Sequence, residues 1–491
     1  MVIKAVLIHG GRYLMKKTIR IWAWLMILLT IVPQASLAIT IQEEEKLSRE
    51  FMREINKQYD IIQDSVITNY VNHVGQKILK VVPPQLFHYH FHVINQDVYN
   101  AFAGPGGQIF INSGLFEALD SEEELAGILG HEISHVVCRH ISQQIEQSRK
   151  IGIGTLAGVA AGVLLGATGS GSAAGAAIAG TMAAGQSLIL AHSREDEMQA
   201  DQRGVVFLTR AGYNPKGLLT SLNKIRGKQW FGKKQIPTYL MTHPAIEDRI
   251  AYLSNWIGAN AATIDKIPIR PPSTFNWVHT RLIGMYGDED MAFKKYSAEV
   301  AQNPDDLLSQ YGYALALERK GDRNAAMKHF RIVLQKRAFD PMVLTDLGRS
   351  NFQDGRYAEA SKILQGVLDI TPEYSEALYY AGRSDIELGR YPEAVRLLTS
   401  LLRGNPDYTK ALYYMGNAYG AQNNIPESCY YLGLYYRARG DNKNALMQLE
   451  KAHQLTTNAE RKTEIETILK EMKKHGHDED DAKDGSGKQK R

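Results

Sequence analysis

Apolar residues recur at three- and four-residue steps through "EEEKLSREFMREINKQYDII" (43–62) and "SVITNYVNHVGQKILKVV" (65–82). That spacing predicts two amphipathic helices, the second stopped by Pro83–Pro84. "HYHFHVIN" (88–95) alternates like a strand. "YNAFA" and "QIFIN" flank Gly104-Pro105-Gly106-Gly107 and predict a hairpin. His88, His90 and His92 share one face of the first strand, and with no carboxylate near them in sequence they read as a solvated face. Ser121 followed by Glu124 forms a capping box opening a helix through "LAGILGHEISHVVCRH" (125–140). From Ile151 to Ala191 no Asp, Glu, Lys or Arg occurs, and Gly154, Gly158, Gly162 and Gly166 recur every four residues. Small residues at that step let helix backbones approach closely. Two readings stay open there, a tightly packed internal hairpin and a flexible segment in peripheral contact with membrane or substrate.

"IPIRPPSTF" (267–275) has the proline density of a linker. Beyond it Gly321, Gly355 and Gly389 lie 34 residues apart, with Asn423 in the next place. Ala326, Ala360 and Ala394 keep the same step, as do Gly348, Gly382 and Gly416, and Pro372 with Pro406. A 34-residue period with small residues where helices cross is the tetratricopeptide signature. "GDNKNAL" at Gly440 repeats the turn "GDRNAAM" of Gly321 three and a half periods later. An extra helix around Glu427 to Arg437 is therefore expected to intervene and to bend or cap the array. The tail "HGHDEDDAKDGSGKQKR" (475–491) has the composition of a disordered segment.

At 491 residues the chain is too long for one core. Its net charge of +4 includes Lys4, Arg12, Lys16, Lys17 and Arg20 of the first 38 residues, where no acid occurs. Without them 52 bases face 53 acids, so no global field exists for nucleic acid. The first 38 residues read as an export signal: "MKKTIR" from Met15, the apolar "IWAWLMILLTIV" (21–32), and "SLA" ending at Ala38. Met15 is an alternative start. Cleavage after Ala38 is preferred over an uncleaved anchor, since a span needs about 20 apolar residues. Cys138 and Cys429 are the only cysteines. They fall in different expected domains and read either as a pair or as two isolated thiols.

On a helix, His131 and His135 of "HEISH" lie on one face and can direct ring nitrogens at a single ion. Glu132, one step round, can reach a water bound to that ion. This is the geometry of a metalloprotease, in which zinc lowers the water's pKa towards about 7 and the glutamate takes its proton. A catalytic zinc needs a third protein ligand, and "SREDEMQADQRG" (193–204) offers carboxylates on a predicted helix.

"HEISH" followed some sixty residues later by "EMQAD" resembles the HExxH and ExxAD pair of the HtpX/CAAX-prenyl-protease family of gluzincin metallopeptidases. The resemblance implies that Glu197 is the third ligand and that Asp201 orients a ligating imidazole and joins in proton transfer; Glu195 and Asp196 are surface charges. It implies that His243, in "THPAIEDRI", lies near the zinc and can take its fourth position as a latch; as a lone histidine before proline it can also simply start a helix. Arg249, six residues on, is expected to hold the acids. The resemblance further implies an edge strand that pairs with extended substrate, assigned to Asn100, Ala101 and Phe102; an ordinary core hairpin is the alternative.

The expected fold is α+β and mostly helical: a gluzincin-type zinc metalloprotease domain with a small β-sheet, then an all-α tetratricopeptide solenoid. The expected boundaries are a signal at 1–38, the peptidase domain at 39–266, a linker and connecting helix at 267–300, repeats at 301–474 and a tail at 475–491. One zinc ion per chain is expected. By resemblance, the chain works in the periplasm of a Gram-negative bacterium. Its substrates would be unfolded outer-membrane β-barrel proteins, and its repeats would dock the machinery that inserts them. A rival is a tetratricopeptide chaperone or adaptor whose zinc domain is latent.

Overall fold

The computed structural model describes residues 39–147, 192–231, 237–268, 273–406 and 408–472. The signal, the Gly/Ala stretch, part of the linker and the tail lie outside the described residues. Helices α1 (Ile41–Gln58) and α2 (Ser65–Leu79) form where the three-and-four spacing places them. Strands β1 (His90–Ile94), β2 (Ala101–Ala103) and β3 (Gln108–Asn112) form one sheet in the order β1-β3-β2. β1 runs parallel to β3, and β2 pairs antiparallel to β3 through the expected hairpin. The turn places Gly106 and Gly107 at φ 68° and 80°, which glycine adopts without strain. β2 is the last strand in the order, so among the described residues no fourth strand pairs with its outer edge.

Of the three histidines before and in β1, His88 and His90 are exposed. His92 departs from the expected solvated face: its ring stacks on Phe110 and Nε2 lies 2.7 Å from Gln108 Oε1. Burial pulls its pKa down to about 4.

After the short α3 (Ser113–Glu117), α4 (Glu122–Val137) runs through the middle of the domain. Every residue from Glu124 to Val136 is buried. Ser121 caps it by accepting the Glu124 N–H at 3.3 Å. The expected reciprocal bond is replaced: Glu124 accepts instead from the Asp120 N–H and from Lys224. α5 (His140–Gln147) follows after two residues, then α6 (Arg194–Arg210) and α7 (Lys216–Phe231) flank α4. A Cβ on Gly127 would sit 2.5 Å from the Leu218 backbone nitrogen, so glycine there lets α4 and α7 touch main chain to main chain. The short α8 (Thr238–Thr242) and α9 (Ile246–Ala259) close the domain, with α10 (Ala261–Ile264) behind them.

Two helices bridge to the repeats, α11 (Ser273–Tyr286) and α12 (Glu289–Gln302). Phe275, Val278 and Leu282 of α11 belong to the core of the first domain, while its Trp277 and Met285 pack on the first repeat. The repeats are α13 (Leu307–Arg319) with α14 (Arg323–Lys336), α15 (Pro341–Gln353) with α16 (Tyr357–Ile370), and α17 (Ser375–Glu387) with α18 (Tyr391–Gly404). α19 (Thr409–Ala421), α20 (Ile425–Ala438) and α21 (Asn442–Leu455) follow, and residues 459–472 are helical. Gly321, Gly355, Gly389 and Asn423 all take positive φ in the turns, as the period requires. Gly348, Gly382 and Gly416 each face a leucine sixteen residues on: Leu364, Leu398 and Leu432.

The expected extra helix is present as α20, but it is not inserted between repeats. α20 receives Gly416 of α19 on Leu432, as a second helix of a pair does. It also presents Gly433 to Leu449 of α21, as a first helix does. One helix thus serves two pairs, and the half-period slip follows. Among the described residues no helix is long and apolar enough to cross a membrane.

The joint between the domains is polar. Arg281 of α11 is fully buried and donates to Asp64 at 2.7 Å, to Asp346 at 2.7 and 2.8 Å, to the Tyr311 hydroxyl at 2.9 Å and to Glu376 at 2.9 Å. Arg349 pairs with Glu318 and Asp346 beside it. Burial, and then Asp64, push the Glu376 carboxyl up from its ordinary 4.5 to about 7. Between those values the folded chain binds more protons than the unfolded one, so this contribution to stability is present below about pH 4.5 and lost as pH rises through 7. Glu376→Gln is expected to flatten the fall in thermal midpoint between about pH 5 and pH 8. Parallel melting curves of the two proteins across that range would show that Glu376 does not titrate there.

Candidate metal centre

α4 carries His131, Glu132 and His135 with no exposure at all, and α6 brings Glu197 and Asp201 against it, equally buried. The two helices touch where Gly204 of α6 packs by the Gly130 carbonyl and the His131 nitrogen. His131 Nε2 and His135 Nε2 are 3.0 Å apart. Glu197 lies 3.4 Å from the first and 3.3 Å from the second. His243, buried at the end of α8, brings Nδ1 within 3.0 Å of Glu197 Oε1 and 3.5 Å of His131 Nε2. Ligand atoms of His131, His135, Glu197 and His243 all lie within 4.8 Å of one another. Three imidazoles and one carboxylate converging in a dry core form a donor set that fits a divalent transition ion.

Asp201 stands behind this group, its Oδ1 2.9 Å from His131 Nδ1. Arg249 of α9 donates to both Asp201 oxygens at 2.8 Å, and its Nη1 lies 2.6 Å from Glu197 Oε2. Burial and Arg249 pull the His131 pKa down, but Asp201 and Glu197 outweigh them and hold it at about 9. The same field favours any cation placed there. For Glu197, burial opposes ionisation, yet Arg249 and the histidines keep its carboxyl well below the usual range.

Glu132 differs from every other acid here. Neither of its carboxylate oxygens has a hydrogen-bond partner among the described residues, although both are buried. The nearest basic side chain among the described residues is His243, with Nε2 3.7 Å from Oε1. Burial pushes its carboxyl up from the ordinary range. An unpartnered buried carboxylate is costly, and this one lies beside His243 of the four-residue cluster.

His243 also reaches the sheet. Asn112 N–H donates to the Asn100 carbonyl and Gly104 N–H to the Gln108 carbonyl. Antiparallel alternation then turns Asn100, Phe102 and Gly104 inward to β3, and the polar groups of Ala101 and Ala103 outward. His243 Nε2 lies 3.2 Å from the Ala101 carbonyl. The Tyr239 N–H donates to the neighbouring Tyr99 carbonyl at 3.1 Å. Of the three residues assigned to a substrate strand, Asn100 precedes β2, Ala101 offers the outward carbonyl, and the Phe102 ring is buried against Phe110.

Glu195 is exposed and Asp196 caps its own helix through the Ser193 N–H, so neither joins the cluster. Cys138 and Cys429 are both free thiols. Sequence reasoning missed His140 and His192, which pack against His135. His140 ends the helix stretch at 125–140 and His192 directly precedes Ser193, yet nothing in the spacing marks either as part of the site.

Residues 67–257 match the model of peptidase family M48, and 311–375 and 351–413 match tetratricopeptide repeat models. The first domain is therefore similar to M48 peptidase domains. It ends before the repeats begin, in agreement with the resemblance carried by "HEISH" and "EMQAD". The chain is 29% identical over 286 residues to the beta-barrel assembly-enhancing protease of Yersinia pestis, spanning 58% of each chain. It is 28% identical over 306 residues to the protein of that name in Escherichia coli (strain K12), spanning 61% of each. It is 25% identical over 222 residues to the mitochondrial metalloendopeptidase OMA1 of Schizosaccharomyces pombe, spanning 45% of this chain and 62% of that one. The matched stretch covers about three fifths of each of these relatives.

Within the first domain, Arg249→Met would leave two buried carboxylates without their cation, a loss of about 3–5 kcal/mol. Urea unfolding of the metal-free protein should show a drop of that order, partly restored when Asp201→Asn is added. Equal stability of the single variant and the parent would remove Arg249 from this structural role.

Proposed function

We propose that this chain is an exported zinc-dependent endopeptidase that degrades misfolded or stalled outer-membrane β-barrel proteins in the periplasm. The observation that carries the chemistry is the buried, unpartnered Glu132 carboxylate beside the cluster of His131, His135, Glu197 and His243. His131, His135 and Glu197 hold one zinc ion. When bound, zinc supplies Lewis acidity, polarising a peptide carbonyl and lowering the pKa of a water towards about 7. Glu132 takes the proton of that water and returns it to the leaving amine. Asp201 fixes the His131 ring through Nδ1 and is anchored by Arg249. The outward carbonyl of Ala101 on β2 receives an extended substrate strand by adding to the sheet edge.

His243 sets the resting state. With Nδ1 3.0 Å from Glu197 Oε1 and Nε2 3.2 Å from the Ala101 carbonyl, it would supply a fourth ligand to the ion while lying against the strand edge. The same contact favours a second mode, in which the repeats hold a client while the peptidase is latched, so that the chain assists assembly as a chaperone. The substrate class and the compartment are drawn from the relatives named beta-barrel assembly-enhancing protease and from the export signal. The repeats dock the barrel-insertion machinery.

Cleavage of an unfolded β-barrel protein by residues 39–491 tests this. Glu132→Gln should keep its zinc and lose at least about 100-fold in rate, the ordinary range for a general base. Zinc retained with the rate unchanged would remove Glu132 from the chemistry. His243→Ala should cleave faster than the parent, and a slower rate would mean that His243 assists the reaction and is not a latch.

A further inference from the structure

We infer that His140 is a positioning residue for His135, an inference that rests on the zinc site proposed above. α4 ends at Val137 and α5 begins at His140. Only Cys138 and Arg139 separate them, and Arg139 takes φ 58°, unusual for a residue with a Cβ. Such a conformation persists where its surroundings fix it. The Arg139 guanidinium is tied to the Ile39 carbonyl and to Glu44, both at 3.1 Å. The reversal folds His140 back beneath the helix it has just left, where it is 1% exposed.

There His140 Nδ1 lies 2.9 Å from His135 Nδ1. Two facing ring nitrogens at that distance share one proton, and the rest of the site decides which ring owns it. His135 turns Nε2 towards His131 and Glu197. To offer a lone pair there it must carry its proton on Nδ1. It then donates to His140 Nδ1, which leaves the His140 proton on Nε2. That nitrogen lies 2.7 Å from Gln199 Oε1 and 3.4 Å from Asp196 Oδ1. The chain His135 to His140 to Gln199 therefore has a donor and an acceptor at every link. The opposite assignment would put the His135 proton on Nε2, facing the cluster. His192 stacks on the His135 ring with centroids 3.8 Å apart and fixes its plane from one face.

The two histidines of α4 are thus held differently. His131 leans on the pair of Asp201 and Arg249, and His135 on the imidazole of His140. His135, His140 and His192 also bring ring nitrogens within 4.8 Å of one another, but the 2.9 Å contact is already spent on a hydrogen bond.

The test uses residues 39–491 with zinc alone as probe. Competition against a chelator should show zinc bound about 10- to 100-fold more weakly by His140→Leu, the ordinary cost of losing a partner of a ligating imidazole. His140→Asn, which keeps an acceptor near the Nδ1 position, should recover most of that loss, with metal-free thermal midpoints unchanged. Nitrogen NMR of the zinc-loaded parent should show His140 protonated on Nε2, a readout that needs no variant to fold. Equal affinity in His140→Leu, a failure of His140→Asn to recover any of the loss, or a His140 proton on Nδ1 would overturn the inference. Two zinc ions per chain, one lost with His140→Leu, would overturn it in favour of a second metal site. No zinc binding by the parent would overturn the zinc site itself.

Discussion

A helix buried on every face gives its ionisable side chains no water, so α4 can exist only if His131, Glu132 and His135 are satisfied by protein or by an ion. Arg249 makes this workable. Its guanidinium pairs with Asp201 and Glu197 at once through its fork, leaving one net negative charge for the histidines or an ion to balance. With the two acids held, the ring nitrogens of His131, His135 and His243 are left facing one point. Among the described acids of the cluster, only Glu132 has both carboxylate oxygens buried without a hydrogen-bond partner, and that asymmetry sets it apart from Glu197 and Asp201.

The repeats obey the same logic on a larger scale. Arg281 is buried among Asp64, Asp346, Glu376 and Tyr311, so one α11 side chain ties the peptidase domain to three helices of the solenoid. Four acids, counting Glu318, surround two arginines, which is why burial there pushes a proton onto Glu376. α11 therefore belongs to both domains. Its apolar residues enter both cores, Phe275 and Leu282 the first and Trp277 and Met285 the second, while its arginine enters the polar centre between them.

Much of this was legible in the chain. Period and small residues gave the solenoid because a 34-residue repeat writes the same contact, such as Gly348 on Leu364, several times. The spacing of His131 and His135 put both rings on one helical face, and the hairpin was marked by its glycines. The placement of Glu197, Asp201, His243 and Arg249 came from the likeness to a family, since no local pattern says which of several carboxylates packs against α4. His140 was beyond either route: its position depends on the backbone reversal at Arg139, a conformation that residue type does not announce. The double use of α20 was hidden for a related reason, because the slip in phase is equally compatible with an inserted helix.

We propose that His131, His135 and Glu197 hold one zinc ion and that His243 is its fourth ligand at rest. X-ray absorption at the zinc edge on residues 39–491 is the decisive measurement. Three imidazoles and one carboxylate are expected in the parent, and one imidazole fewer, replaced by an oxygen ligand, in His243→Ala. The same coordination in both proteins would rule out His243 as a ligand.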